Sequence, residues 1–225
     1  MLNVKLLDYS DDPINLIYTA ARTCYSNELP ENIWSNDLNT NKKLELITKV
    51  IGFGHLGILE HVYLNFSASG ISRCLSHQAC RHRLVSYEQK SQRYCNERFF
   101  DFVTPTSIGQ SEFVDEYKKI MSDIGDFYAR MTKACIPGED ARFILPNACC
   151  TSFVMSMNLR EFLYVHGLRS CSKAQWEIRE LFAQAKAQVL SKSHLEWLAP
   201  YLEPKCIAAG RCTEKDSCGY FKQGG

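Results

Sequence analysis

Residues 80–94 read CRHRLVSYEQKSQRY, placing Arg81, His82, Arg83, Lys90, Ser91 and Arg93 among Leu84, Val85, Tyr87 and Tyr94. So many guanidiniums and hydroxyls, with an imidazole, exceed what a strand or helix face needs in order to fold. A guanidinium is planar, stays protonated at working pH and matches phosphate or carboxylate in pairs, so the segment reads as an anion-binding site. A plain charge run would read as a solvated turn. Here the interleaved apolar and aromatic residues seek partial burial, and an arginine drawn in with them needs a partner.

The rest of the composition sets the frame for that site. At 225 residues and 45% hydrophobic, the chain can bury a substantial core, and it is read as one domain over 1–225 with a cysteine-containing tail over 203–225. Lys plus Arg number 26 against 25 acids, a net charge of +1, so no global field gathers nucleic acid or a membrane surface. The opening MLNVKLLDYSDD lacks an apolar core flanked by positive charge, and no apolar run approaches membrane-spanning length. The 11 cysteines are therefore read as reduced thiols, and the expected location is the cytoplasm. Cys206, Cys212 and Cys218 are evenly spaced in the tail, but the paired Cys-x-x-Cys spacing of a zinc site is absent, so no metal is expected.

Periodicity gives a mixed α/β, or α+β, order of elements. Val4 to Leu7 reads as a strand, Pro13 to Cys24 as a helix behind an Asp-Asp cap, 27–41 as a polar loop and Lys42 to Gly52 as a helix. His61 to Ala68 alternates as a half-buried strand does, and Ser72 to His82 reads as a helix. Residues 86–102 fit either loop or extended chain. Ser111 to Cys135 spaces Phe113, Tyr117, Ile120, Ile124 and Phe127 along an amphipathic helix. A short helix around Ala141 to Leu145, a strand from Cys150 to Met157, and helices over Leu159 to Gly167 and Lys173 to Leu198 complete the chain. Long helices around a sheet are expected.

Arg81-His82-Arg83, seven residues and then Ser91 resemble the signature of the flavin-dependent thymidylate synthases. The resemblance extends over Ala20 to Tyr25, Gly54-His55, Leu59-Glu60-His61, Ser72-Arg73, His77-Gln78, Ala141-Arg142, Leu145-Pro146, Asn158 with Arg160, Leu168-Arg169 and Ala174 to Arg179. It implies that family's fold, a central and mostly antiparallel sheet flanked by long helices. It implies reductive methylation of deoxyuridylate (dUMP) to thymidylate (dTMP), with FAD as cofactor and NADPH and 5,10-methylenetetrahydrofolate as co-substrates. A homotetramer with sites shared between subunits is implied as well, with neither nucleic acid nor membrane as partner.

Residue by residue, the resemblance gives Arg169 the catalytic role, a fixed positive charge over the uracil ring where negative charge develops. It gives nucleotide binding to Gln78, Arg81, Gln89, Lys90, Ser91, Gln92, Arg93, Arg142 and Arg169. It gives flavin contacts to Arg81, His82, Arg83, Gln89, Asn158, Arg160, Glu60, Gly57 and Tyr164, and places His55 in the folate region. The chain departs from the family at Gly57, where a hydroxyl residue is common, at Tyr164, where Asn or His is common, and at Glu88, where Asn or Ser is common. Two other readings stay open at this level. A single-strand-binding surface would use Arg81, Arg83, Lys90, Arg93 and the tyrosines, and a nucleotide hydrolase would use Ser91 as nucleophile.

Overall fold

Asp12 starts the first helix in the computed structural model, which describes residues 1–221. Its carboxylate accepts the Asn15 N–H at 3.1 Å, and Pro13 takes the first helical position, where a missing N–H costs nothing. Strand β1 (Asn3–Tyr9) precedes this helix, α1 (Pro13–Thr23), and two more helices follow, α2 (Pro30–Trp34) and α3 (Thr40–Gly52). The 27–41 segment is thus not all loop: Pro30 opens a short helix that buries Ile33. α3 ends in a Schellman turn, in which the Gly54 N–H reaches the Ile51 carbonyl at 2.8 Å and the His55 N–H reaches Val50 at 3.2 Å. Gly54 sits at φ +83°, which only glycine adopts without a steric cost, so the stop lies two residues beyond Gly52.

Next come β2 (Tyr63–Ser72), α4 (Arg73–Ala79), β3 (Ser86–Gln89), α5 (Thr106–Gly109), α6 (Val114–Lys133), α7 (Gly138–Ala141), β4 (Cys150–Asn158), α8 (Leu159–Arg169), α9 (Trp176–Leu190) and α10 (Lys205–Ala208). The four strands form one antiparallel sheet in the order β1-β2-β4-β3. Alternation along β2 buries Leu64, Phe66 and Ala68, and along β4 it buries Thr151, Phe153, Met155 and Met157.

The chain divides into two compact units. One comprises Met1–Val4, Ser67–Arg83 and Tyr87–Val154; the other comprises Lys5–Phe66, Leu84–Ser86 and Met155 onward. In the first, Tyr87 meets Phe153 edge-on at 5.2 Å, and Tyr117 meets Phe102 at 5.8 Å while its hydroxyl donates to the Val103 carbonyl at 2.9 Å. In the second, Phe162 stacks on Phe66 at 5.5 Å and tilts toward Phe182 at 6.5 Å, all essentially without solvent contact. Truncating a buried phenylalanine of this kind costs about 3–5 kcal/mol.

Three helices differ from the sequence reading. α4 stops at Ala79 because the Arg81 and His82 N–H groups turn back to the Gln78 and Ala79 carbonyls, three residues earlier, so Arg81 to Arg83 ride a turn. α9 ends at Leu190, where the polar run Ser191 to His194 breaks the ladder, and a 3-10 turn over Glu196–Tyr201 follows. α6 buries Met121 and Tyr128, while Phe113, Ile120 and Phe127 stay exposed. Residues 222–225 of the expected tail lie outside the described residues. Among those described, no helix is long and apolar enough to cross a membrane.

Candidate functional site

In the first unit, the arginine segment is held by β4 and α7. The Lys90 N–H donates to the Ser152 carbonyl at 2.9 Å, the Gln89 amide to the Thr151 hydroxyl at 3.2 Å, and the Gln92 amide to the Cys149 sulfur at 3.6 Å. The Ser91 hydroxyl accepts the Arg93 N–H at 3.2 Å and the Ser91 carbonyl accepts the Cys95 N–H at 2.9 Å, which curls the chain into a turn. Among the described residues, the hydrogen bond shown for the Ser91 hydroxyl is the one it accepts from the Arg93 N–H, and a backbone amide does not activate it as a nucleophile.

Arg93 and Arg142 converge on one residue. Arg93 Nε lies 2.8 Å from the Glu139 carboxylate, and Arg142 Nε donates to the Glu139 carbonyl at 3.2 Å. Both guanidiniums are exposed, so the pairing itself is worth only about 0.2–1 kcal/mol. Its value is geometric: each fork keeps donors for an external anion. Tyr94 lies beside the Arg93 guanidinium at 5.3 Å and is exposed, as is Phe143 next to Arg142. Gly138 lets α7 approach, since a Cβ there would stand 2.9 Å from the Arg93 carbonyl oxygen.

Lys90 is committed inward. Its ammonium sits 2.9 and 3.0 Å from the two carboxylate oxygens of Glu97, a residue only 3% exposed. Burial would lower the Lys90 pKa, but the Glu97 hydrogen bond and charge outweigh it and raise it overall. Gln78 is half-buried near the end of α4, His82 is buried, and Arg81 and Arg83 point to solvent.

The second unit carries the remaining candidates. Asn158 caps α8, its side-chain oxygen accepting the Glu161 N–H at 2.9 Å. Two residues on, Arg160 pairs with Glu60 at the surface, using one of five donors. Tyr164 is 60% exposed on α8, and Arg169 is the last residue of that helix, where a cation also offsets the helix dipole. A cavity of about 420 Å³ is lined by Ala21, Cys24, Tyr25, Val50, His55 and Gly57, with Ala20, Ile58 and His61 completing it. That volume suits a ring-bearing small molecule. A Cβ on Gly57 would meet nothing within 4 Å, so the wall there is open and offers no side-chain donor. Planar surfaces, an open glycine and an outward guanidinium are what the parts of a flavin dinucleotide need, and these residues fit one.

The structure brings Gln89 to Arg93 and Arg142 together in the first unit, and Glu60, Arg160, Asn158, His55 and Gly57 into the neighbourhood of α8 and its preceding elements in the second. Sequence reading did not single out Glu139, Glu97 or the close approach at Gly138. No spacing signals them, because Glu139 lies far from Arg93 along the chain and meets it only through folding.

A protein family described as thymidylate synthase complementing protein matches residues 5–193. The flavin-dependent thymidylate synthase of Pyrococcus abyssi is 37% identical over 236 aligned positions, covering 99% of this chain and 95% of the relative. That of Pyrococcus furiosus is 37% identical, covering 96% and 91%. Among solved structures, thymidylate synthase X of Helicobacter pylori, crystallised with FAD and dUMP, aligns with a TM-score of 0.69 at 24% identity over 87% of this chain and 96% of that one, which shows the shared fold.

Proposed function

Because the chain belongs to the family of thymidylate synthase complementing proteins, the flavin-dependent thymidylate synthases, we propose that it converts dUMP to dTMP with FAD as its cofactor. The observation that carries the site assignment is the convergence of Arg93 and Arg142 on Glu139, which presents two guanidiniums at one place for a nucleotide phosphate.

Bound flavin would supply the hydride, replenished from NADPH, while 5,10-methylenetetrahydrofolate would supply the carbon. The chain's own residues position and polarise. Arg93, Arg142 and the Ser91 turn hold the phosphate, and Arg81 reaches the same nucleotide. Gln78 presents a donor and an acceptor to the pyrimidine edge. Gln89, Lys90 and Gln92 spend donors on Thr151, Glu97 and Cys149, which fixes the backbone of this turn, and each keeps a further N–H for the nucleotide, with Gln89 reaching the flavin as well. Arg169 places a fixed positive charge where the uracil ring gains negative charge. Arg81, His82, Arg83, Asn158, Arg160, Glu60, Gly57 and Tyr164 hold the flavin, and His55 faces the folate.

Residues 1–225 act as one functional domain in a cytoplasmic homotetramer whose sites draw on several subunits. The exposed Ile120 and Phe127 on α6, with Phe113 just before it, lie seven residues apart and so share one side of the helix, which supports an assembly that covers them.

The test is anaerobic incubation with FAD, NADPH, methylenetetrahydrofolate and dUMP, followed by chromatography. Thymidylate should form and should vanish when either FAD or NADPH is omitted. Arg169→Ala should abolish turnover while keeping bound-flavin absorbance; near-normal product formation would remove Arg169 from the mechanism.

A further inference from the structure

Cys171, Cys206, Cys212 and Cys218, four of the 11 cysteines, line one cavity of about 410 Å³ in the second unit, where the turn after α8 meets the tail. None of the residues given nucleotide, flavin or folate roles above lines it. Its volume is that of a small-molecule site.

The four thiols are not equivalent. Cys206 is buried, Cys171 and Cys212 are half-buried, and Cys218 is exposed. A hydrogen bond from the Ser172 side chain, helped by the Tyr220 backbone and the Lys173 charge, holds the Cys218 thiol below its ordinary pKa. Burial first, and then the Glu97 charge, push Cys149 the other way, up to about 11. Cys171 is half-buried, lines the same cavity as Cys218 and adjoins Ser172 in the chain.

The walls are cationic. Lys173, Arg179 and Lys205 face a single carboxylate, Glu214, which already pairs with Lys205 at 2.6 Å. Arg179 donates one N–H to the Ser172 carbonyl at 3.2 Å, and a guanidinium has five donors. Positive charge is left over for the carboxylates of a ligand.

We propose that this cavity is a thiol-exchange site for a small disulfide bearing carboxylates, with Cys218 as the attacking thiol and Cys171 as the resolving one. The Cys218 thiolate bonds to one sulfur of the incoming disulfide as that S–S bond breaks, and one small thiolate leaves and is protonated by water. The Cys171 thiolate then attacks the Cys218 sulfur, the mixed bond breaks and the second small thiolate leaves. Two protein thiols are oxidised to one Cys171–Cys218 disulfide, and the ligand disulfide is reduced to two thiols. The product is a covalent clasp between the tail and the end of α8.

Full-length protein is exposed to glutathione disulfide under native conditions, and its peptides are mapped by mass spectrometry over time. Wild type should show a transient adduct on Cys218, followed by a peptide pair linked through Cys171 and Cys218. Cys171→Ser should trap the adduct, and Cys218→Ser should lose both species. Lys173→Ala should slow capture of glutathione disulfide about fivefold more than it slows capture of the uncharged 2-hydroxyethyl disulfide, the worth of one charge contact in water beyond the shared loss of Cys218 thiolate. Adducts that form on Cys24, Cys74 and Cys95 as fast as on Cys218, or a cross-link between other cysteines in wild type, would overturn the assignment. Mapping the wild type decides this even where a variant fails to fold.

Discussion

Replacing Lys90 with Met should unsettle the first unit through Glu97 rather than through any substrate. The carboxylate of Glu97 is 3% exposed, and the Lys90 ammonium lies 2.9 Å from one of its oxygens and 3.0 Å from the other. Removing one member of a fully buried pair costs about 3–5 kcal/mol, because the charge left behind has no compensation. Lys90 keeps about a third of its side chain in water (36% exposed), so the pair is only partly desolvated and about 2–4 kcal/mol is the expected loss. For a chain of this size each kcal/mol lowers Tm by roughly 2–4 °C, which gives a fall of about 4–16 °C. Thermal unfolding followed by circular dichroism measures it. The double variant Lys90→Met with Glu97→Gln should recover most of the loss, since it removes the stranded charge. A Lys90→Met Tm within about 2 °C of wild type, or a double variant no better than the single, would refute the reasoning.

Three further outcomes follow from other parts of the molecule. His166 is 2% exposed, its Nδ1 has no hydrogen-bond partner among the described residues, and burial first, then the Lys186 charge, lower its pKa from 6.5 to about 4. The unfolded chain therefore binds the extra proton between those values, and stability should climb by about 3 kcal/mol from pH 4 to 6.5 and then level off; urea midpoints across that range should lose much of this slope in His166→Leu. Cys135 holds φ +63° at the end of α6, where its N–H and that of Ile136 close a Schellman turn, so Cys135→Gly should raise the urea-derived stability by about 1 kcal/mol. Gly138→Ala would press a Cβ to 2.9 Å from the Arg93 carbonyl and displace the arginine turn, which should raise KM for dUMP roughly three- to tenfold with little change in Tm.

Much of the fold was legible because it rests on local signals. Alternation in His61 to Ala68 marked β2, the Asp12-Pro13 start marked α1, and the Thr and Val content of 150–157 marked β4. The orientation of α6 was not legible. The stripe read from the sequence, Phe113, Tyr117, Ile120, Ile124 and Phe127, is split by packing: Tyr117 and Ile124 are half-buried, Met121 and Tyr128 are the residues it buries, and Phe113, Ile120 and Phe127 stay exposed. At the site, the arginine-rich segment announced itself by composition, and Asn158 was reached only through the family resemblance, its cap on α8 emerging from the structure. The Arg93–Glu139 pair did not announce itself, since it is set by a chain crossing that no spacing encodes, and the Lys90–Glu97 pair, seven residues apart, depends on how the irregular segment between them turns.

The capping of α8 by Asn158 reaches beyond helix stability. Because one lone pair of the side-chain oxygen is taken by the Glu161 N–H while the two amide hydrogens lie outside that cap, the residue leans toward donation. It favours a phosphate or carbonyl oxygen over a donor. The start of the helix thus biases the polarity of whatever docks there. Asn158→Asp would keep the cap yet present an acceptor in place of that donor, so the fold would survive a change that inverts what the site accepts.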